Sequence, residues 1–206
     1  MSNIDQFLAD LIGKEGLPAD GGGAYAYLDS KGLVTMGVGE HLSLADFARV
    51  GGWSIGDRFA THEELGAAYA ALVELGKQYQ GEHPGATVPY AAEHYAKFTV
   101  TRLPVAVCMQ RAKDRLTVEF LPHLDSQVLV EAQFNDLPLA VQRVLVDLAW
   151  NVGCGGFSVS RWPLLFTAVS RRDFRAASLQ CVTGDGTGAR NTWRRQTMLS
   201  AVEATS

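Results

Sequence analysis

Two carboxylates and a hydroxyl near the N-terminus, Glu15, Asp29 and Thr35, carry the residue types of acid–base chemistry. Glu15 falls eleven residues after Ile4, almost three helical turns, so it projects from the apolar side of an amphipathic helix. A carboxyl there is partly desolvated, which favours its protonated form. Asp29 stands at the turn of a polar hairpin, with Thr35 on the returning strand. Two carboxyls in unlike surroundings are what glycoside hydrolysis needs: one donates a proton to the leaving oxygen, the other acts from the opposite face. Asp20 is a rival for the second carboxylate, but three glycines follow it and nothing in the sequence holds it in place.

The elements that must position these groups are short. Ile4, Phe7, Leu8, Leu11 and Ile12 follow the helical period, and Gly16 can close that helix. Residues 25–39 read as a β-hairpin. Tyr25, Tyr27 and Asp29 share one face, Asp29-Ser-Lys-Gly32 supplies the turn, and Leu33-Val-Thr-Met36 returns. Gly37 and Gly39 are places where a backbone or a substrate could approach closely.

These residues carry a resemblance. Glu15-Gly16, followed by Tyr27-x-Asp29-x-x-Gly32-x-x-Thr35-x-Gly37-x-Gly39, resembles the catalytic signature of the phage-type lysozymes, glycoside hydrolase family 24. The loop between Glu15 and the hairpin is longer than in compact family members. The stretch Asp147-Leu-Ala-Trp-Asn-Val-Gly153, with Gly156-Phe157-Ser-Val-Ser160, resembles the same family, where it forms a central helix and one cleft wall. The resemblance implies a muramidase that cuts the β-1,4 bond between N-acetylmuramic acid and N-acetylglucosamine. Glu15, Asp29 and Thr35 would be catalytic and the reaction inverting. Trp150, Asn151 and Ser160 are candidates for substrate binding. Trp150 could stack on a sugar or simply be core; Asn151 could offer an amide to N-acetyl or hydroxyl groups. The family also has an Arg pair in its last helix. Arg194 and Arg195 stand there, either one facing the catalytic carboxylates or both forming an exposed basic turn.

The implied fold is α+β and mostly α, a lysozyme-like two-lobed single domain over residues 1–206. An N-terminal helix plus hairpin lobe covers 1–100, with an expanded segment 40–99. A long helix joins it to a helical lobe over 101–206. Periodicity adds helices at 43–50, 61–79, 101–121, 126–134, 137–152, 160–170, 173–182 and 190–204. Thr61-His-Glu-Glu64 has capping-box form, Pro104 fits a first turn, and Pro122 should end the long helix.

Other chemistry reads more weakly. Gly52-Trp-Ser54-Ile-Gly56 is a formal G-x-S-x-G, and a serine hydrolase using Ser54 with a distant His123 is the rival enzyme class. A nucleophile elbow needs a strand before it and a helix directly after it, which this stretch lacks. The five His lack metal-ligand spacing, so no metal or cofactor is expected. A third possibility is a peptidoglycan-binding module without catalysis.

Composition gives the setting. Hydrophobic residues make up 47% and no run approaches a membrane span, so no stable membrane insertion is expected. Three cysteines cannot all pair, which favours a reducing cytoplasm with thiols as small core residues. A net charge of −4 argues against nucleic acid. The N-terminus shows no Sec-type signal. The expected protein is a monomer made in the cytoplasm that meets peptidoglycan glycan strands in the periplasm. It would get there through a holin, as a phage endolysin, or by injection as a toxin guarded by an immunity protein.

Overall fold

The computed structural model describes residues 3–15, 24–29, 31–89, 92–95, 97–127, 133–184, 186 and 188–203, the side chains of Glu15, Ala92, Glu93 and Glu203 excepted. In chain order the elements are α1 (Asn3–Glu15), β1 (Tyr27–Leu28), β2 (Val34–Met36), β3 (Glu40–His41), α2 (Leu44–Arg49), β4 (Ser54–Ile55) and β5 (Arg58–Phe59). They continue with α3 (His62–Glu82), α4 (Ala92–Tyr95), α5 (Val105–Arg115), a π turn (Leu116–Phe120) and α6 (Leu121–Ser126). The last are α7 (Leu139–Val152), α8 (Pro163–Ser170), α9 (Phe174–Gln180) and α10 (Gly188–Glu203). The fold is mostly helical with small antiparallel sheets, and it divides into two compact units.

The unit Glu15–Ala112 is built on the sheet β1-β2-β3. Tyr27 pairs with Thr35, and Thr35 with His41. Asp29 N–H donates to the Leu33 carbonyl at 2.9 Å, extending the ladder by one step. The third strand, β3, lies just before the helix expected at residues 43–50. Gly37-Val-Gly39 turns the chain tightly enough for Glu40 and His41 to pair back on β2. Gly37, at φ +51, also needs to be glycine for space: a Cβ there would lie 2.9 Å from Cys108 Cβ. The close approach expected at this glycine is therefore made by an α5 side chain.

Helix α3 covers β1 and β2. It begins with the expected capping box, Thr61 and Glu64 bonding each other's backbone N–H. Leu72 is fully buried, and at Gly76 an added Cβ would meet Leu28 at 3.0 Å. Trp53 stacks on Phe47 at 4.5 Å and donates its indole N–H to the Phe47 carbonyl. Residues 101–103 do not begin the long helix. Leu103 precedes a proline, which disfavours the α region, and the extended chain pairs instead: Arg102 with Ser54 and Leu103 with Ala24.

The second unit joins Met1–Lys14 to Lys113–Ser206. Pro122 does not end the helical run, which continues to Ser126. The preceding π turn explains this. Leu121 N–H reaches back five residues to Leu116, so Pro122, with no N–H to donate, starts a fresh α stretch. Most of the second helix expected at 126–134 lies outside the described residues, and Phe134–Asp136 is a 3-10 turn. Helix α7 is the core. Val141, Val144, Leu148 and Ala149 are fully buried, and it packs on α10, which in turn packs on α9. Pro138 opens α7 and Gly153 closes it at φ +77, close to the helix expected at 137–152. All three cysteines are unpaired; burial pushes the Cys108 and Cys181 thiols up to about 11, as for small core residues.

Candidate functional site

The local fold at the β1–β2 turn holds the Asp29 carboxylate in a fixed pose. Its Oδ1 accepts two backbone N–H groups, from Lys31 at 2.9 Å and from Leu33 at 2.8 Å. Its own carbonyl accepts from Gly32 N–H. An Asp turned on its own backbone in this way is the local reason the hairpin bends here. Oδ1 is thus occupied and Oδ2 carries what acceptor capacity remains. His41 Nε2 stands 3.0 Å from Oδ2.

Thr35 is buried, and its hydroxyl donates to the Leu33 carbonyl at 3.0 Å. Its proton is committed, so the group has only acceptor lone pairs to offer a further partner. By the register, Asp29, Thr35 and His41 share one face of the sheet. A carboxylate oxygen and a hydroxyl oxygen, both acceptors, can receive the two hydrogens of one water molecule. That leaves the water's lone pair to attack.

β3 is anchored from the side. Glu40 forms a fork with Arg111 of α5, Nε to Oε2 at 2.9 Å and Nη2 to Oε1 at 2.5 Å. Cys108, one turn earlier on α5, fills the space over Gly37. Tyr95 lies close enough for the Asp29 charge to help raise its phenol, to about 12, after burial as the main cause. The phenol donates to the Pro89 carbonyl.

The other candidates fall as follows. Glu15 is the last residue of α1, and its side chain lies outside the description, as does the whole of Asp20. Trp150 is buried on Phe120, with ring centroids 4.7 Å apart and the Arg115 guanidinium over its ring, which is the packing of a core residue. Asn151 accepts from Arg194 Nη2 at 3.0 Å. Ser160 is exposed and bonds Ser158 at 3.0 Å. Ser54 sits on β4 and runs into the turn to β5, without the helix an elbow requires; its hydroxyl donates to the Arg102 carbonyl. His123 Nε2 stands 2.6 Å from the Phe157 carbonyl. Among the described residues no group of three or more His, Cys, Asp or Glu could hold a metal ion.

Arg194 corrects the reading of an exposed basic turn. It is fully buried, and its Nε donates to Asp147 Oδ2 at 2.5 Å. Asp147 is buried too and also meets Lys14 at 3.0 Å and Arg190 Nε at 3.1 Å. One carboxylate therefore faces three cations inside the unit. Burial opposes ionisation of Asp147, but Arg190, Arg194 and Lys14 outweigh it and hold the carboxyl below its ordinary value. Burial wins at Lys14: its ammonium drops to about 8 despite Asp147. Lys14 Nζ also lies 2.8 Å from the centre of the Trp193 ring.

Sequence reasoning missed two of these residues. Asp147 had a readable signal, a charge three residues after Val144 on the otherwise apolar stripe of α7. His41 had only a faint one: two glycines between short extended stretches, which read equally well as a loop. No protein-family model, curated protein or solved structure matches the chain.

Proposed function

We propose that this chain is a peptidoglycan hydrolase, a muramidase that inverts configuration at the β-1,4 bond between N-acetylmuramic acid and N-acetylglucosamine. Glu15 protonates the departing oxygen. Asp29 takes a proton from a water on the opposite face of the sugar, and the acceptor lone pairs of Thr35 orient that water. The observation that supports this most is the pose of Asp29, one oxygen held by two backbone N–H groups and the residue standing on the same sheet face as Thr35. A carboxylate that needs no reorganisation before it acts is what general base catalysis favours. The resemblance of residues 15–39 to the phage-type lysozyme signature supplies the substrate class. Asn151 and Ser160 are proposed to bind sugar. Trp150, buried at 8% exposure, leaves a glycan little surface to reach.

The cellular setting is that of an enzyme made in the cytoplasm and admitted to the wall by a holin or by injection. In the second case an immunity protein would be its partner.

The test is release of soluble muropeptides from purified peptidoglycan by the wild type, Glu15→Gln and Asp29→Asn. General acid catalysis is worth ~10²–10⁴ in rate, so folded Glu15→Gln should be nearly silent. More than about a tenth of wild-type activity in that variant contradicts the assigned role. Binding without any release by the wild type would instead identify a non-catalytic wall-binding module.

A further inference from the structure

Asp29 has one oxygen left for chemistry, and that oxygen already has a neighbour. We infer that His41 is a positioning residue for Asp29: it holds Oδ2 through Nε2–H, so that one lone pair of that oxygen stays aimed at the attacking water. The inference rests on the muramidase reading for its chemistry and on the hairpin geometry for its residue.

Three observations carry it. First, Oδ1 is occupied by the N–H groups of Lys31 and Leu33, so rotation about the Cβ–Cγ bond is opposed at one end only. His41 Nε2 at 3.0 Å from Oδ2 supplies the hold at the other end. A carboxylate oxygen offers two lone-pair sites; His41 takes one and leaves one.

Second, β3 is built to keep the imidazole there. His41 pairs with Thr35 in the register, which puts it on the same face as the buried hydroxyl. The adjacent Glu40 is locked to Arg111 by a two-pronged ion pair, and the turn before it is packed on Cys108 at Gly37. A strand of two residues has little to hold its own register, and these two contacts supply what pairing alone does not.

Third, the exposures differ in the direction a positioning role requires. The Asp29 side chain is 18% exposed and that of His41 is 51% exposed. The imidazole is the more exposed of the two groups, so removing it does not open the core. The hydrogen bond needs only a donor at Nε2, which the neutral ring supplies as one of its two tautomers. A carboxamide in its place should therefore serve as well.

The experiment compares kcat, KM and melting temperature on purified peptidoglycan for the wild type, His41→Phe and His41→Gln, with Asp29→Asn as control. Loss of a hydrogen bond to a charged group predicts a drop in kcat for His41→Phe of roughly tenfold to a hundredfold. KM and melting temperature should be unchanged. His41→Gln should recover most of the loss, because its amide restores the donor. Wild-type kcat in His41→Phe overturns the inference and leaves the muramidase reading standing, as does an effect on KM alone. Equal loss in His41→Gln and His41→Phe also overturns it, because the donor would then not be what matters. Unfolding of both variants overturns it in favour of a structural role. Inactivity of the wild type removes the muramidase reading and this inference together, whereas indifference of an active enzyme to Asp29→Asn overturns this inference and reassigns the second carboxylate.

Discussion

The two ends of the Lys14–Asp147 ion pair should respond to mutation with opposite signs. Asp147 is 1% exposed and faces Lys14, Arg190 and Arg194. Asp147→Ala leaves the buried Arg194 and the half-buried Lys14 and Arg190 without their carboxylate, and breaking a buried pair from one side costs ~3–5 kcal/mol. For a protein of this length that is on the order of a 10 °C fall in melting temperature. Lys14 is the excess charge. Its ammonium titrates at about 8 instead of the ordinary 10.5, which means that holding it charged in the fold costs about 3 kcal/mol. Lys14→Met keeps the length of the side chain and removes that cost, so it should stabilise at pH 7, by at most about 3 kcal/mol less the lost contact with Trp193. The pH dependence has a fixed sign. Between about 8 and 10.5 the unfolded chain keeps a proton that the fold has released, so wild-type stability rises through that window on account of this group. In Lys14→Met that rise should vanish. Urea unfolding followed by circular dichroism at pH 7, 8, 9 and 10 measures both effects. A Lys14→Met protein more than about 1 kcal/mol less stable than wild type at pH 7, or one with an undiminished alkaline rise, would refute the reasoning.

Three further outcomes are expected. Asp29→Ala should abolish muropeptide release while Asp20→Ala keeps most of it, because the hairpin holds Asp29 and three glycines follow Asp20; the reverse pattern in a turbidity assay reassigns the second carboxylate. Gly37→Ala should lose roughly 2–3 kcal/mol, from a positive φ and a Cβ placed 2.9 Å from Cys108 Cβ. In that background Cys108→Gly should recover more of the loss than Cys108→Ala, since alanine keeps the Cβ at 2.9 Å and removes only the Sγ at 3.1 Å; equal recovery in both denies the clash. NMR of the first product from a chitooligosaccharide should show the α anomer, and a β first product or a glycosyl adduct on Asp29 rules out water activation.

What the sequence revealed follows the range of the interactions involved. The α3 capping box and the helix at 137–152 depend on residues a few positions apart, and the structure has both. The turn at Asp29 is equally local. Pro122 misled because its effect depends on the π turn before it, and nothing in Leu116-Thr-Val-Glu-Phe120 announces a five-residue step. β3 was lost because a strand of two residues has no periodicity; its register comes from Arg111 and Cys108 on a distant helix. Arg194 looked like a solvated charge in a basic run, and only Asp147, Asn151 and Thr183 around it make a buried place for it. Of the candidate site, Asp29 and Thr35 were legible from turn chemistry and alternation, whereas their neighbour His41 was not.

The make-up of the helical unit has a consequence for synthesis on the ribosome. α1 leaves the exit tunnel well before α7, yet Asp10 and Lys14 bond Arg143 and Asp147, each 133 residues further along the chain. At ~5–20 residues per second, α1 waits on the order of ten seconds for its partners. During that interval Phe7, Leu8 and Leu11, all buried in the finished protein, have nowhere permanent to go. The whole of residues 15–112 emerges in between and can fold first as a unit, closing most of the intervening loop. Once that loop is compact, docking α1 onto α7 costs less chain entropy than spanning 133 flexible residues would. The seating of α1 thus waits on the synthesis of α7.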